Sequence, residues 1–224
     1  MSETLIAQIR MGGILYILLV IAITMREFGR AYAADKLGSV VPRMEGRITL
    51  NPLAHMDLMG TVILPIVCLS LCVGTQFPLV FGWGKPVNAP FTNPKTYIRD
   101  DVITTLAGAA MNLAIAFAAA VLLAVFAAFR LEAYETVATY AISINAVIFV
   151  INMLPVPPLD GGRLLKYAIK MSEETYMRLS SWGIAIFFII IFFPPTKQIF
   201  LSLVNIVYIA FIKIADIIFK LFFS

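Results

Sequence analysis

Three charged residues stand inside an apolar run and have a spacing that could support chemistry. Arg26, Glu27 and Arg30 lie late in the stretch from Met11 to Ala34. Positions 26 and 30 are i and i+4, so their side chains share one helix face, with Glu27 beside them. With histidine at both positions, this frame would be the helix of a zinc protease, and the glutamate would be its general base.

Arginine at both positions changes that chemistry. A guanidinium group keeps its proton in a protein and has no lone pair to offer a metal. A charge at bilayer depth costs roughly 2.5–3.5 kcal/mol. Arg26, Glu27 and Arg30 are therefore expected to be paired, hydrated or bound to another group, and the chain is expected to hold no zinc.

The other residues of metal-binding type give no zinc signal. His55, the single histidine, follows Asn51-Pro52 in a segment that we interpret as an interfacial loop. Cys68 and Cys72 are four residues apart in an apolar run, where cysteine usually serves as a small buried hydrophobe. We expect a structural role for all three.

Composition sets the class of protein. Of 224 residues, 61% are hydrophobic and 13% charged, and the mean hydropathy is +0.92. These values predict an all-α polytopic membrane protein, with one membrane-embedded domain over residues 1–224. The net charge of +4 suits basic loops that face a lipid bilayer. No long run of lysine and arginine with interleaved aromatic residues is present, so no nucleic-acid partner is predicted.

The apolar runs predict about five to six membrane segments, with short β-strands near the membrane interface. The runs are 11–34, 58–73, 102–129, 137–154, 179–193 and 199–220. The second run contains Pro65 and is short for a span, which favours a re-entrant hairpin. Alternation over Gly46–Leu50 predicts a short strand. Proline-rich Pro155–Pro158 cannot stay helical and is expected to be extended.

The positions of lysine and arginine predict an orientation. If residues 58–73 do not cross the membrane, ten basic residues share one side and three lie on the other. The positive-inside rule then places the charged motif near the cytoplasmic side of a multi-pass integral membrane protein, with the N-terminus external.

Several longer motifs resemble the site-2 protease family of intramembrane zinc metalloproteases. They occur in the family's order within residues 12–170, and the helices at about 179–220 are accessory. The motifs are the charged helix, Gly46-Arg47-Ile48-Thr49-Leu50-Asn51-Pro52-Leu53-Ala54-His55, Gly82-Trp83-Gly84-Lys85-Pro86, Leu106-Ala107-Gly108 with Asn112, and Asn152-Met153-Leu154-Pro155-Val156-Pro157-Pro158-Leu159-Asp160-Gly161-Gly162-Arg163.

The resemblance assigns roles by position. Arg26 and Arg30 occupy the positions of the family's two histidine ligands, and Glu27 that of its general base. Asp160 corresponds to the third zinc ligand. The cleft and substrate-binding positions are Asn152, Asn112, Pro155, Val156 and Pro157. Active relatives use zinc to cut transmembrane protein segments. Ala109 stands where the family usually has proline.

Three functions fit these observations. The chain could be an inert family member, a pseudoprotease that binds or protects transmembrane segments without cutting them. It could instead be an active protease whose parent sequence, with histidine at both positions, has been altered. A small transporter or channel that binds an anion through Arg26 and Arg30 is a third hypothesis, but it leaves the loop motifs unexplained.

Charge suggests what replaces the metal. Zn²⁺ with two neutral histidines, a glutamate and an aspartate sums to zero. The formal charges of Arg26, Arg30, Glu27 and Asp160 also sum to zero. Guanidinium groups can fork onto carboxylates, so we predict an ion-pair cluster of these four side chains. The alternative is that both arginines snorkel to the aqueous edge of the membrane.

A double-mutant cycle tests this cluster. Asp160→Ala alone should destabilise the protein in detergent by about 3–5 kcal/mol, because it strands a buried positive charge. Adding Arg30→Leu should recover part of that loss. The measurement is the free energy of unfolding of the four proteins in the cycle. Coupling below about 0.5 kcal/mol would reject the cluster in favour of snorkelling.

Overall fold

The fold is nearly all helical over the residues that the computed structural model describes, which are 3–71 and 80–223. Cys72 and Gly74 lie outside these ranges. A 3₁₀ turn at Pro52–Ala54 and a π-helical turn at Leu58–Ile63 interrupt the loop between the first and third helices. The helices are α1 (Glu3–Lys36), α2 (Val41–Met44), α3 (Leu64–Leu71), α4 (Tyr97–Ala128), α5 (Glu132–Met153), α6 (Asp160–Ala168), α7 (Glu173–Ser181), α8 (Gly183–Phe192) and α9 (Pro194–Phe222).

Four of these helices are long and apolar enough to cross a membrane. They are Ile6–Lys36 of α1, all of α4, all of α5 and all of α9. The predicted count of five to six segments is therefore too high for the described residues. Helix α8 has 10 residues, which span about 15 Å, half of a bilayer core. The apolar stretch Leu58–Ser70 is also too short to qualify.

Prolines set several of the helix ends, as predicted. Helix α5 ends at Met153, two residues before Pro155. Helix α9 begins at Pro194 with proline in its first turn, where a missing N–H leaves no hydrogen bond unmade. Pro194-Pro195 thus separates α8 from α9, in agreement with the sequence.

The chain forms two compact units, Met1–Met111 and Asn112–Ser224. The boundary falls within α4, whose first half belongs to the first unit. A single functional domain over the whole chain stays a prediction.

In the first unit, α1 and α4 pack closely through glycine. A Cβ atom added to Gly29 would lie 2.3 Å from Met111 Cγ and 3.2 Å from the carbonyl oxygen of Ala107. No side chain larger than hydrogen therefore fits at this crossing. Small residues permit such close approach between membrane helices, as the sequence predicted for the segment around Ala107.

A capped turn begins the short apolar stretch that precedes α3. The Asp57 side chain accepts a hydrogen bond from the Gly60 amide at 2.7 Å, and the Thr61 hydroxyl accepts one from the Asp57 amide at 3.0 Å. Pro65 follows the π-helical turn. Since proline lacks the N–H that a regular helix needs, the irregular turn lies where the hydrogen-bond ladder is interrupted.

The loop around Trp83 is joined to this turn by backbone hydrogen bonds. The Trp83 amide donates to the Gly60 carbonyl at 3.1 Å, and the Thr61 hydroxyl donates to the Trp83 carbonyl at 2.7 Å. The Lys85 amide donates to the His55 carbonyl at 2.8 Å. We call residues 47–61 with residues 82–86 the loop platform.

The strand predicted for Gly46–Leu50 is wrong. The described residues contain no β-strand, and their ladder pairing is a single isolated bridge between Met56 and Gly84. Gly46 has a φ of 65°, which ends the preceding α2 turn instead of starting a strand. The apolar residues of the alternation do not form a buried face, because Leu50 is exposed while Arg47 is buried.

Arg47 is the buried centre of the loop platform. Its side chain is 2% exposed, and its two terminal nitrogens donate to the carbonyl oxygens of Ala54 and Lys85. One guanidinium group thus joins residues 7 and 38 positions away along the chain.

The second unit packs through small residues of its long helices. Ala119 and Ala120 of α4, Ile142 of α5 and Ala215 of α9 form its buried core. Aromatic side chains of α9, among them Tyr208 and Phe211, surround this core. The alanines let the three helices approach closely.

Pro155–Pro158 forms turns, and the extended conformation predicted for it is wrong. The Val156 amide donates to the Leu154 carbonyl at 2.7 Å, and the Leu159 amide donates to the Val156 carbonyl at 2.9 Å. A Cβ on Gly161 would lie 2.2 Å from the Met153 carbonyl oxygen. A Cβ on Gly162 would lie 2.3 Å from the Pro157 nitrogen. The first turn of α6 therefore packs against the end of α5 through Gly161 and against Pro155–Pro158 through Gly162, with no room for a side chain at either position.

Replacing Arg47 by lysine should destabilise the loop platform. Lysine keeps the charge but cannot reach both carbonyl groups with a planar fork, so we expect a loss of about 1–3 kcal/mol in the free energy of unfolding. The control is Arg43→Lys, because Arg43 is exposed and pairs with Asp35 at the surface. Equal effects of the two substitutions on chemical denaturation would contradict the buried role of Arg47.

Gly161→Ala should destabilise the second unit by about 1–3 kcal/mol or more, because the new methyl group would meet backbone oxygens of Met153 and Leu154. Gly13→Ala is the control. A Cβ there meets nothing within 4 Å, and alanine is the better helix former. Melting temperatures in detergent should fall for the first variant and stay level or rise for the second.

Candidate functional site

The charged motif of α1 lies buried in the first unit. Arg26, Glu27 and Arg30 are 8%, 3% and 7% exposed. A terminal nitrogen of Arg26 donates to Glu27 Oε1 in a buried ion pair. Arg26 is therefore paired within the protein, as the cluster hypothesis requires of it, instead of extending to water.

Helix α4 covers the stems of both arginines. A Cβ on Gly108 would lie 2.8 Å from Arg30 Cγ and 3.4 Å from Arg26 Cγ. The aliphatic parts of the two side chains thus lie across this glycine. Because any larger residue would displace them, Gly108 helps to set the direction in which the guanidinium groups leave α1.

The loop platform lies against Glu27 from another direction. A Cβ on Gly84 would lie 3.1 Å from Glu27 Cγ and 2.6 Å from Ile23 Cγ2. Glu27 Oε2 is buried and has no hydrogen-bond partner among the described residues. The second carboxylate oxygen is thus the one available to a further group at this site.

Glu27 also interacts electrostatically with Arg47 and His55 of the loop platform. Burial lowers the pKa of the Arg47 guanidinium from its ordinary value, and the charge of Glu27 acts in the opposite sense. Burial likewise lowers the pKa of His55, and the Arg47 charge lowers it further, against a backbone hydrogen bond that raises it. Both effects favour a neutral imidazole at position 55.

His55 has a structural position. It is fully buried, and its Nε2 donates to the Thr49 carbonyl oxygen at 2.8 Å in the neutral ring. Its Nδ1 has no hydrogen-bond partner among the described residues. The ring stabilises the loop platform close to Arg47, which would oppose the approach of a cation.

The remaining predicted site residues belong to the second unit. Asp160 is 4% exposed and occupies the first turn of α6, where the helix dipole favours a negative charge. Asn152 donates to the Ile148 carbonyl at 2.8 Å, a bond within its own helix. Asn112 is fully buried and donates to Asn145 Oδ1 at 3.0 Å. The pairing of Asp160 with the arginines stays a prediction.

The residues present do not fit a catalytic zinc ion. Such a site needs three protein ligands of nitrogen, oxygen or sulfur type. Positions 26 and 30 supply guanidinium groups, and Glu27 is already bonded to Arg26. Among residues 3–71 and 80–223, no three side chains of His, Cys, Asp or Glu come together as metal ligands.

Two features of the site escaped the sequence analysis. Arg47 contributes a third buried positive charge to the first unit, and the partners that hold it are backbone carbonyls, which leave no trace in side-chain patterns. Gly84 approaches Glu27 closely. The Gly82-Trp83-Gly84 motif was a usable signal for that contact, since glycines in loops often mark a close backbone approach.

Comparison with known proteins identifies the family of the chain. The model of "Peptidase family M50" matches residues 127–194, which include Asn152 and Asp160. No solved structure matches the chain.

Three curated relatives share the name "Putative zinc metalloprotease". YwhC of Bacillus subtilis is 30% identical, with 85% of each chain covered. Rip2 of Mycolicibacterium smegmatis is 27% identical, with 82% of this chain and 68% of the relative covered. Rip2 of Mycobacterium tuberculosis is 26% identical, with 79% and 65% covered. The chain therefore belongs to peptidase family M50, the site-2 proteases.

Proposed function

We propose that this chain is a membrane-embedded member of the site-2 protease family that binds transmembrane segments and does not cut them. The observation that carries the proposal is the pair formed by Arg26 and Glu27, where the family has a zinc ligand and a general base. The proposal has two parts, the loss of hydrolysis and the retention of binding.

The loss of hydrolysis follows from the chemistry of the donor atoms. A guanidinium group has no lone pair at any pH that a folded protein tolerates, so neither Arg26 nor Arg30 can replace an imidazole ligand. Glu27 must be free to accept a proton if it is to serve as a general base. Its ion pair with Arg26 opposes that role.

The retention of a stable site follows from its charge. Two arginines supply the +2 that Zn²⁺ supplies with two neutral histidines. The buried carboxylates are then compensated without a metal, which a low-dielectric environment requires. Arg47 adds a third positive charge. Its two terminal nitrogens bond to backbone carbonyls, so it does not require a hydrogen bond to the Glu27 carboxylate.

Binding would use the loop formed by Pro155–Pro158. Prolines have no N–H, and the Val156 amide already bonds to Leu154, so the segment has only carbonyl acceptors to offer. A guest segment would therefore have to contribute the N–H groups. A transmembrane helix that unwinds locally does so, which supports a transmembrane segment as the partner.

Anion transport is less well supported. An anion carrier needs cationic groups that a solute can reach and leave. Arg26 is bonded to Glu27, and Arg30 also interacts with other groups of the protein. Both arginines are more than nine-tenths buried.

Restoring histidine at both positions tests the loss of hydrolysis. The chain with both arginines should contain no stoichiometric zinc by elemental analysis and should not cleave a panel of single-span membrane substrates. The Arg26→His, Arg30→His double variant should gain about one zinc per chain. Without zinc it should be less stable by about 3–5 kcal/mol, because its carboxylates lose their positive partners. Added zinc should raise its melting temperature and leave that of the chain with both arginines unchanged.

The matched control is the double variant with Glu27→Gln added. This protein keeps both histidines but lacks the general base, so it should bind zinc without cutting. Zinc or cleavage in the chain with both arginines would overturn the proposal. The binding part fails separately if a photocrosslinker at Val156 captures no membrane peptide from the same panel.

A further inference from the structure

The first unit contains a cavity that the proposed function does not use. It lies where α1 ends and α4 begins, and its volume is about 460 Å³. This size is within the usual range for sites that bind small ligands. The wall consists of residues 37–41 and 90–93 with Thr96, Arg99 and Asp100.

Ser39 provides a hydroxyl group in this wall that the protein leaves unused. The residue is 3% exposed, and its Oγ has no hydrogen-bond partner among the described residues. Buried polar groups normally find partners, because leaving one unmet costs about 1–3 kcal/mol. A molecule in the cavity would satisfy this hydroxyl.

Arg99 and Asp100 supply an oriented cation at the cavity. Arg99 Nε and Nη2 lie 2.9 and 2.8 Å from Asp100 Oδ1. The Asp100 side chain is 5% exposed and also bonds to Thr96, so its charge is compensated inside the protein. The Arg99 side chain is 65% exposed, and its remaining N–H groups are directed away from Asp100.

These groups favour a ligand that accepts hydrogen bonds. The Ser39 and Thr92 hydroxyls and the Arg99 guanidinium are donors, and arginine is especially suited to phosphate oxygens. A cationic ligand would need the Asp100 carboxylate, which is already bonded to Arg99 and Thr96. Apolar side chains complete the wall, namely Leu37, Val40, Val41, Pro90 and Phe91.

The position of the cavity indicates the source of the phosphate. Two candidate spans meet here, one ending at Lys36 and the other beginning at Tyr97. The ends of membrane spans lie at the level of lipid headgroups. We propose that this cavity binds the phosphodiester headgroup of a phospholipid, with the phosphate at Ser39 and Arg99 and the glycerol against the apolar wall.

Native mass spectrometry of the delipidated full chain in detergent tests this site. The probe is phosphatidylglycerol, and the readout is the apparent Kd of the first bound lipid. Ser39→Ala should weaken binding about tenfold, the usual effect of one hydrogen bond to a charged group. It should not change the melting temperature without lipid, because no residue that the structure describes bonds to that hydroxyl. Arg99→Gln with Asp100→Asn keeps a hydrogen-bonded pair, removes the cation and should weaken binding at least as much.

Controls distinguish the possible outcomes. Arg43→Gln removes an exposed arginine that does not line the cavity, so an equal loss in that variant would show general charge attraction and overturn the site. Diacylglycerol, which lacks phosphate, should bind more weakly, and equal binding would reject the phosphate assignment. If inorganic phosphate displaces the lipid at the same concentration with the same sensitivity to Ser39→Ala, the ligand is soluble phosphate and the lipid assignment is wrong.

Discussion

The structure of the first unit depends on the requirement that buried charges be compensated. Arg26, Glu27 and Arg30 lie on a helix that is otherwise suited to hydrocarbon, where an isolated charge would be very costly. The ion pair between Arg26 and Glu27 meets part of this requirement. Gly29 and Gly108 bring α4 close enough to cover the arginine stems and exclude lipid from them. The close helix crossing and the charged motif are therefore a single feature, since neither arginine could be held in this way beneath a larger residue.

In the loop platform, backbone carbonyl groups compensate a buried charge. No carboxylate of the described residues forms an ion pair with Arg47, and its terminal nitrogens bond to carbonyl oxygens of Ala54 and Lys85. These bonds fix two loops in relation to each other, and one of the loops brings Gly84 against Glu27. The charge of Arg47 also helps to keep His55 neutral. An irregular loop region is thus ordered by one buried cation, without the ladder of a β-sheet.

Sequence patterns predicted the features that depend on local chemistry. Long apolar runs predicted the four helices that are long enough to span a membrane, and prolines predicted where α5 and α8 end. The longer sequence motifs predicted the family. Failures arose where tertiary contacts decide the outcome. At Gly46–Leu50 the buried residue is Arg47, whose partners lie 7 and 38 residues away along the chain. At Pro155–Pro158 the backbone forms turns, and Gly162 of α6 lies against Val156 and Pro157, a contact that proline content alone does not reveal.

Charge compensation also gives a reason for arginine at both position 26 and position 30. One arginine beside one histidine would supply a single positive charge, and the lone imidazole with a carboxylate would hold a metal poorly while the cation repelled it. Two arginines supply the +2 of the ion without any metal, so positions 26 and 30 are expected to act as a unit. Under the proposed function, Glu27 would serve as the ion-pair partner of Arg26 instead of as a proton acceptor. The family scaffold would then remain folded in the membrane without hydrolytic chemistry, because folding requires only the charge, whereas hydrolysis requires the lone pairs.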